Sequence, residues 1–547
     1  MASVVLTGLE SSGKSSIFRG LTRGMRGEES NFRGSTVMVR QCYLPECECN
    51  LLDTPGIRIQ SDSQTTRLAF EQVDSSDTVL IVARGTHIQS ELETIFHELK
   101  ENLVNKQVAI AITFEDKAPL GIYKAAEHYE ETLGIPVVVL NARSLSENNR
   151  VRLIDLIQQA KKFDNILPII TAPEGIITIT PQTTWFENRT LGSFLALLTL
   201  LAFFALPVMA AYYLASWLQP IVDEALITPL KTSLQGLPIL IQTILIGDYG
   251  VLTLGWYSFL WAFPVVAFIG LSVGLLDETG LKDRITAALD PWLRRIGLSG
   301  RDLVPVLTGF GCNVVAVFQS RSCSSCTRNN CISMIAFGSA CSYQIGASLS
   351  LFGSSGNPWL FMPYLAVLFI VSAVHTRIWY GALPEDFSSS LNERAFLQKP
   401  SWKGLFWKLR AVIEQFLFQA MPIFLVICAV AAMLQYWGVL DLLSQLVSPV
   451  TKIFMLPPDT TPAIIFSILR KDGLLVLNQG DGLLLHSLSV GQVFVLVYLA
   501  STLTACLVTL GTVYKETGAA NAIRLSSRQA ITSIVSALLI VIILRVF

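Results

Sequence analysis

Apolar and polar positions change rhythm about a third of the way along the chain. Over the first 165 residues, short apolar runs (Val4-Val5-Leu6, Leu51-Leu52, 78–83, 108–113 and 137–140) alternate with longer stretches, 16–21, 89–103 and 119–133, whose apolar residues recur at helical spacing. Short apolar runs bounded by turn residues read as buried strands, and their alternation with amphipathic helices predicts a doubly wound α/β sheet. From residue 191 the apolar runs lengthen. Seven of them, 191–217, 251–276, 331–351, 359–381, 411–434, 491–513 and 524–546, each approach the roughly 20 residues that cross a bilayer, and so predict seven spans. Two more, 303–319 and 461–477, are interrupted by Gly309 and Gly311 or by Arg470-Lys471-Asp472-Gly473, and predict discontinuous or re-entrant helices.

Those two interrupted runs share a prelude. Gly280-x-x-Asp283, Pro291, Arg294, Leu298 and Asp302-x-x-Pro305 are echoed by Gly438-x-x-Asp441, Pro449, Lys452, Leu456 and Asp459-x-x-Pro462. The first prelude carries Lys282, Arg284, Arg294, Arg295 and Arg301, whereas the second has only Lys452. Because basic residues favour the cytoplasmic side, this asymmetry predicts an inverted repeat whose copies cover about 277–351 and 435–513.

Composition sharpens this division. Across 547 residues the mean hydropathy is +0.52 and 52% of residues are hydrophobic, yet residues 1–165 hold 40 of the 81 charged side chains. A charged head (1–165), a linker (166–190) and a helical membrane body (191–547) follow, with the head expected in the cytoplasm because the chain opens on a head strand without a leader. The net charge of −1 lacks the dense basic face that nucleic acid requires. Ten irregularly spaced cysteines predict free thiols or metal ligands rather than a disulfide framework, with Cys42, Cys47 and Cys49 structural at a hairpin turn around Pro45.

The head's chemistry lies in its loops. Gly8-Leu9-Glu10-Ser11-Ser12-Gly13-Lys14-Ser15 follows a strand and opens a helix, as a phosphate-binding P-loop must. Its amides, including those of Ser11, Ser12, Gly13 and Ser16, turn toward phosphates, Lys14 adds a positive charge, and the Ser15 hydroxyl suits Mg(II). Asp53-Thr54-Pro55-Gly56 at a strand end supplies a carboxylate that reaches Mg(II) through water and a γ-phosphate-sensing glycine. Asp116 is the candidate guanine acceptor, and Asn141-Ala142-Arg143-Ser144 a base-contacting loop. Thr113 stands where an Asn-x-x-Asp motif has its asparagine, which weakens guanine specificity and admits ATP beside GTP. Ile57 follows Gly56 where many GTPases carry a water-orienting glutamine, so hydrolysis should be slow.

In the membrane body, the bracketing glycines free the backbone around Cys312 and Asn313, a soft and a polar candidate ligand. Cys341, Cys506, Glu516 and Asp472 lie in or beside other apolar runs, where a charge is expensive unless used. Cys323-x-x-Cys326 with Cys331 is a thiol trio that reads equally as a bland loop.

Together these residues resemble the FeoB ferrous-iron transporters over nearly the whole chain. The resemblance rests on the P-loop, on Asn31-Phe32-Arg33-Gly34-Ser35-Thr36-Val37 as a switch segment, and on Asp53 to Gly56. It continues through Ile296 to Gly300, Leu307 to Asn313 and Arg321, then Cys341-Ser342, and Cys506 ahead of Glu516-Thr517-Gly518. It implies a P-loop GTPase domain followed by gate-type inverted repeats, with Thr36 as an Mg(II) ligand and Fe(II) passing Cys312, Asn313, Cys341, Asp472 and Cys506. The implied location is the bacterial inner membrane, with homo-oligomers and a small cytoplasmic accessory protein as candidate partners. Departures are Val314 and Ala505 in place of prolines, Asp472 in place of glutamate, and too short a segment at 163–191 for the family's helical coupling domain. Other cargo (Mn(II), Zn(II) or a nucleoside-like solute) and a membrane-anchored regulatory GTPase are the alternatives.

Overall fold

The computed structural model describes the chain except for residue 1 and residues 24–27, 30–38, 58–62, 119–120, 164–180, 189–190, 384–395, 479–482 and 547. It has two compact units: Met1–Gln182 with Arg321–Ser325 and Asn392–Arg394, and Thr183–Ser320 with Cys326–Leu391 and Ala395–Phe547. Residues 166–180 and 189–190 of the expected linker, and the switch segment with Thr36, lie outside the described residues.

The first unit is the α/β sheet that the strand pattern predicts. Its strands are β1 (Ala2–Thr7), β2 (Glu28–Glu29), β3 (Arg40–Leu44), β4 (Cys49–Asp53), β5 (Thr78–Arg84), β6 (Gln107–Thr113), β7 (Val137–Val139) and β8 (Lys161–Lys162). They run in the order β2-β3-β4-β1-β5-β6-β7, with β8 on β6. Strands β4, β1, β5, β6 and β7 are mutually parallel, so all their C-terminal ends open on one edge. Five helices cover the faces: α1 (Lys14–Leu21), α2 (Gln64–Ser75), α3 (Ile88–Leu99), α4 (Ile122–Leu133) and α5 (Glu147–Gln158). Residues Val79 to Ala83 of β5 are fully buried, as a strand covered on both sides must be. Cys47 and Cys49 are joined by a disulfide, which corrects the expectation of free thiols. The β3–β4 turn brings their Cα atoms to 5.2 Å, within bonding range.

The second unit is helical. It begins with α6 (Gly192–Val222), continued through a π-turn into α7 (Thr228–Leu234), then α8 (Ile239–Ile246). The first repeat follows as α9 (Leu254–Thr279), α10 (Leu281–Arg295), α11 (Leu303–Gly309), α12 (Asn313–Gln319), α13 (Ser325–Gly338), α14 (Ser342–Ser354) and α15 (Phe361–Tyr380). After α16 (Trp402–Gln415) the pattern returns: α17 (Met421–Tyr436), α18 (Val439–Ile453), α19 (Thr461–Leu469), a 3-10 segment Lys471–Asn478, α20 (Leu483–Ser487), α21 (Val490–Thr502), α22 (Leu507–Thr517) and α23 (Ala519–Val546).

Six helices among the described residues are long and apolar enough to span a bilayer, not the seven that hydropathy predicts. The stretch 331–351 is not among them, and it breaks between α13 and α14. At that break the Ser339 hydroxyl donates to the Val306 carbonyl and the Ser342 hydroxyl to the Gly311 carbonyl, both at 2.9 Å. Hydropathy averages cannot register a break made by such contacts.

The two copies match in backbone detail. Gly280 and Gly438 both take the left-handed conformation ahead of α10 and α18. At the ends of those helices Gly297 and Met455 are again left-handed, and the next amide reaches back five residues, Leu298 N–H to Leu293 O and Leu456 N–H to Thr451 O. This is a helix-terminating motif, and Met455 takes it at a conformational cost that glycine avoids. Packing is exchanged between copies, α12 lying on α22 and the 3-10 segment Lys471–Asn478 on α14.

Candidate functional site

In the first unit, the edge where the parallel strands end carries the P-loop. Gly8 has φ +151°, and a Cβ there would lie 2.2 Å from the Val82 carbonyl oxygen, so only glycine lets the loop leave β1 against β5. Gly13, also at positive φ, precedes α1 and abuts Thr113 and Ala142. The buried Lys14 ammonium donates to the carbonyls of Gly8 (3.0 Å) and Leu9 (2.7 Å). Burial pulls its pKa down to about 8, against the pull of Asp53, Glu10 and Glu91.

Asp53 is fully buried at the end of β4, and the Thr54 hydroxyl ties that strand end to the Leu6 carbonyl at 2.6 Å. Gly56 lies so close to Glu10 that a Cβ would come within 2.7 Å of its Cα, which sets this loop against the P-loop. Ile57 is buried and its amide donates to Gly8 O, so it is a packed wall residue. Asp116 is exposed in a turn behind the left-handed Phe114. Burial lowers the pKa of neighbouring Lys117, partly offset by Asp116. In the 141–144 loop the Asn141 side chain accepts from the Arg143 amide.

Thr113 does more than the motif comparison suggests. Its hydroxyl donates to Ser12 O at 2.7 Å and lies 3.2 Å from Ala83 O, so it fastens the P-loop to β5. A buried carboxylate, a seryl hydroxyl opening α1 and a lysine cradled by loop carbonyls form a donor set that fits a Mg(II)-nucleotide.

In the second unit four helix breaks come together. Cys312, Cys341 and Cys506 occupy the N-terminal caps of α12, α14 and α22, and Arg470 stands at the end of α19. The three thiols lie within electrostatic reach of one another. Asn313 is buried beside Cys312, and its Oδ1 has no hydrogen-bond partner among the described residues. A Cβ at Gly309 would lie 2.6 Å from Ser339 Cβ and 3.2 Å from Asn313 Oδ1, so the first two breaks close on that glycine.

The charges have partners of their own. Arg470 Nε donates to Asp472 Oδ1 at 3.0 Å, and Ser258 donates to Asp472 Oδ2 at 2.5 Å. The Arg470 guanidinium lies against both the Tyr343 and Phe424 rings, 4.2 and 4.1 Å from their centroids. Asp472, expected from the sequence as a metal ligand, thus has both oxygens engaged. Lys471 donates to the carbonyls of Ser501 (2.5 Å) and Thr504. Glu516 pairs with Arg328 at 2.9 Å. Among the described residues no three His, Cys, Asp or Glu side chains converge as a ready-made metal site.

Residues 3–114 match a family profile described as 50S ribosome-binding GTPase, and residues 259–355 and 417–520 match one described as Gate, nucleoside recognition. The Fe(2+) transporter FeoB of Synechocystis sp. is 23% identical over 76% of this chain and 72% of its own length. The FeoB of Helicobacter pylori is 24% identical over 74% of this chain and 67% of its own. Over about three quarters of its length the chain is thus similar to FeoB proteins. A crystal structure of S. thermophilus NFeoB bound to GDP.AlF4- and K+ aligns over 29% of this chain and 62% of that one, at 22% identity and TM-score 0.25.

Against the FeoB pattern, the missing prolines do not remove the breaks. Val314 follows the first residue of α12, where an amide lacks an intrahelical acceptor whether or not proline replaces it. The gap between α21 and α22 persists with Ala505 because Lys471 takes two of its carbonyls. Sequence reasoning missed Ser258, Tyr343 and Phe424, which the fold brings to the Arg470–Asp472 pair from distant helices. No local motif announces them.

Proposed function

We propose that this chain imports Fe(II) across a bacterial inner membrane, with GTP binding and hydrolysis in a cytoplasmic head opening a thiol-lined path. The observation that carries this reading is that Cys312, Cys341 and Cys506 each cap a helix break in one membrane unit, within electrostatic reach of one another. Thiols suit a borderline-soft divalent ion, and helix breaks expose backbone oxygens that replace lost hydration. FeoB relatives named as Fe(2+) transporters support the choice of cargo.

In the head, Mg(II) when bound would screen the phosphates, held by Ser15 and, through water, Asp53, with Thr36 as a further ligand. Lys14 holds phosphate charge, Gly56 senses the γ-phosphate, and Asp116 with the Ala142 loop receives the base. Ile57 offers no polar group to orient water, so the head acts as a slow timer rather than a motor. The repeats are taken as inverted because the first prelude carries Lys282, Arg284, Arg294, Arg295 and Arg301 and the second only Lys452, and basic residues favour the cytoplasmic side.

Purified full-length protein in sealed vesicles, loaded with a metal-sensitive dye and offered Fe(II), Mn(II), Zn(II) or a nucleoside with and without GTP, tests the reading. GTP-dependent Fe(II) entry is expected. A vesicle that passes no divalent ion under any nucleotide would sink it.

A further inference from the structure

Lys471 is buried, and among the described residues it makes no ion pair. Neighbouring Asp472 is committed to Arg470 and Ser258, which leaves the Arg470, Lys471 and Asp472 cluster with one net positive charge inside the membrane unit. A buried ammonium is costly unless strong acceptors surround it. Those acceptors are the carbonyl oxygens of Ser501 and Thr504, which the end of α21 and the gap before α22 leave without helical donors. Nearby acceptors are otherwise occupied: Thr502 O takes Gln529 Nε2 at 3.0 Å, and Leu499 O takes the Leu503 amide. The Cys506 and Cys341 thiols lie within electrostatic reach of the same ammonium.

Carbonyls at the C-terminal end of a half-helix, carrying the negative end of its dipole and flanked by thiols, are the environment that replaces the water shell of a small cation. The other copy supplies a contrast. At the first repeat's break the residue that opens the next helix is Asn313, whose neutral amide faces Gly309 beside Ser339 with an unfilled acceptor. The repeats therefore differ in whether the position that addresses the next break carries a charge.

We propose that the Ser501 and Thr504 carbonyls, with the Cys506 and Cys341 thiols, form a cation-binding site at the α21–α22 break, and that the Lys471 ammonium is its tethered occupant. A transported ion enters only when Lys471 withdraws. The proposal rests on the metal-transport reading for its role in flux, though the site itself is tested without flux.

The test compares purified full-length wild type with Lys471→Met, which keeps most of the apolar stem and removes the charge. Without nucleotide, Mn(II) should raise the melting temperature of Lys471→Met by roughly 3 °C more than that of wild type, as a ligand reaching well above its Kd does. Adding Cys506→Ser should shrink the difference. Lys471→Asn, which copies the first repeat, is read in the same way should the methionine variant fail to fold. Equal shifts in wild type and variant, or none in either, overturn the proposal. In vesicles the variant should also leak divalent metal at least about tenfold faster than wild type in the absence of GTP. Vesicles of both proteins that stay impermeable, alongside a Mn(II) shift confined to the variant, would overturn the transport reading and leave the site standing.

Discussion

The Thr113 hydroxyl, at the end of β6, donates to the Ser12 carbonyl inside the P-loop at 2.7 Å. The residue that breaks the expected Asn-x-x-Asp pattern thus performs the loop-tying work itself. Thr113→Val would keep the shape and leave the buried Ser12 carbonyl short of a donor, at about 1–3 kcal/mol. Nucleotide affinity should fall roughly tenfold or more, measured by titration with a fluorescent GTP analogue, whereas Thr113→Ser should retain most of it.

Lys14→Ala should abolish nucleotide binding and nucleotide-dependent flux together. In the free protein Lys14 loses its proton near pH 8, and phosphate needs the ammonium. Affinity should therefore be flat below about pH 7 and fall by up to about tenfold per unit well above pH 8, with proton uptake on binding visible by calorimetry in two buffers. Affinity that stays level to pH 9.5 would contradict the burial of this group.

Cys312→Ser removes one thiol cap without touching the head. Metal flux in vesicles should drop severalfold while GTP hydrolysis stays at the wild-type rate. Unchanged flux would take Cys312 off the path.

Asp472→Asn leaves the Arg470 guanidinium buried without its counter-charge. Removing one member of a buried pair typically costs about 3–5 kcal/mol, so the detergent-solubilised variant should melt several degrees lower than wild type. If Asp472 were instead a dispensable metal ligand, flux would fall and the melting temperature would hold.

Gly309→Ala places a methyl group 2.6 Å from Ser339 Cβ, where two helix breaks meet. The overlap should cost about 1–3 kcal/mol or force the breaks apart. Reduced flux with unaltered nucleotide binding is the expected outcome, read on the same vesicles and titrations.

Much of the architecture was legible because its signals are local. The strand-loop-helix around Lys14, the alternation behind the sheet and the two interrupted runs depend on residues close together in sequence. The glycine-led preludes at Gly280 and Gly438 also revealed the repeat, since a left-handed turn restricts what can occupy it. The break between α13 and α14 stayed hidden, because it is made by hydroxyls of Ser339 and Ser342 reaching carbonyls about thirty residues away. The Cys47–Cys49 bond was likewise not legible from cysteine spacing along the whole chain, whereas the β3–β4 turn brings the two residues together.

The sequence by itself determined the nucleotide-binding loop, the division into a charged head and an apolar body, and the residues that interrupt the membrane helices. Each follows from backbone freedom or from hydropathy over a short window. Only the tertiary structure decided what those interruptions face. It gave Asp472 to Arg470 and Ser258, laid Arg470 against Tyr343 and Phe424, and directed Lys471 onto the Ser501 and Thr504 carbonyls. A buried charge takes its meaning from partners that only folding brings within reach.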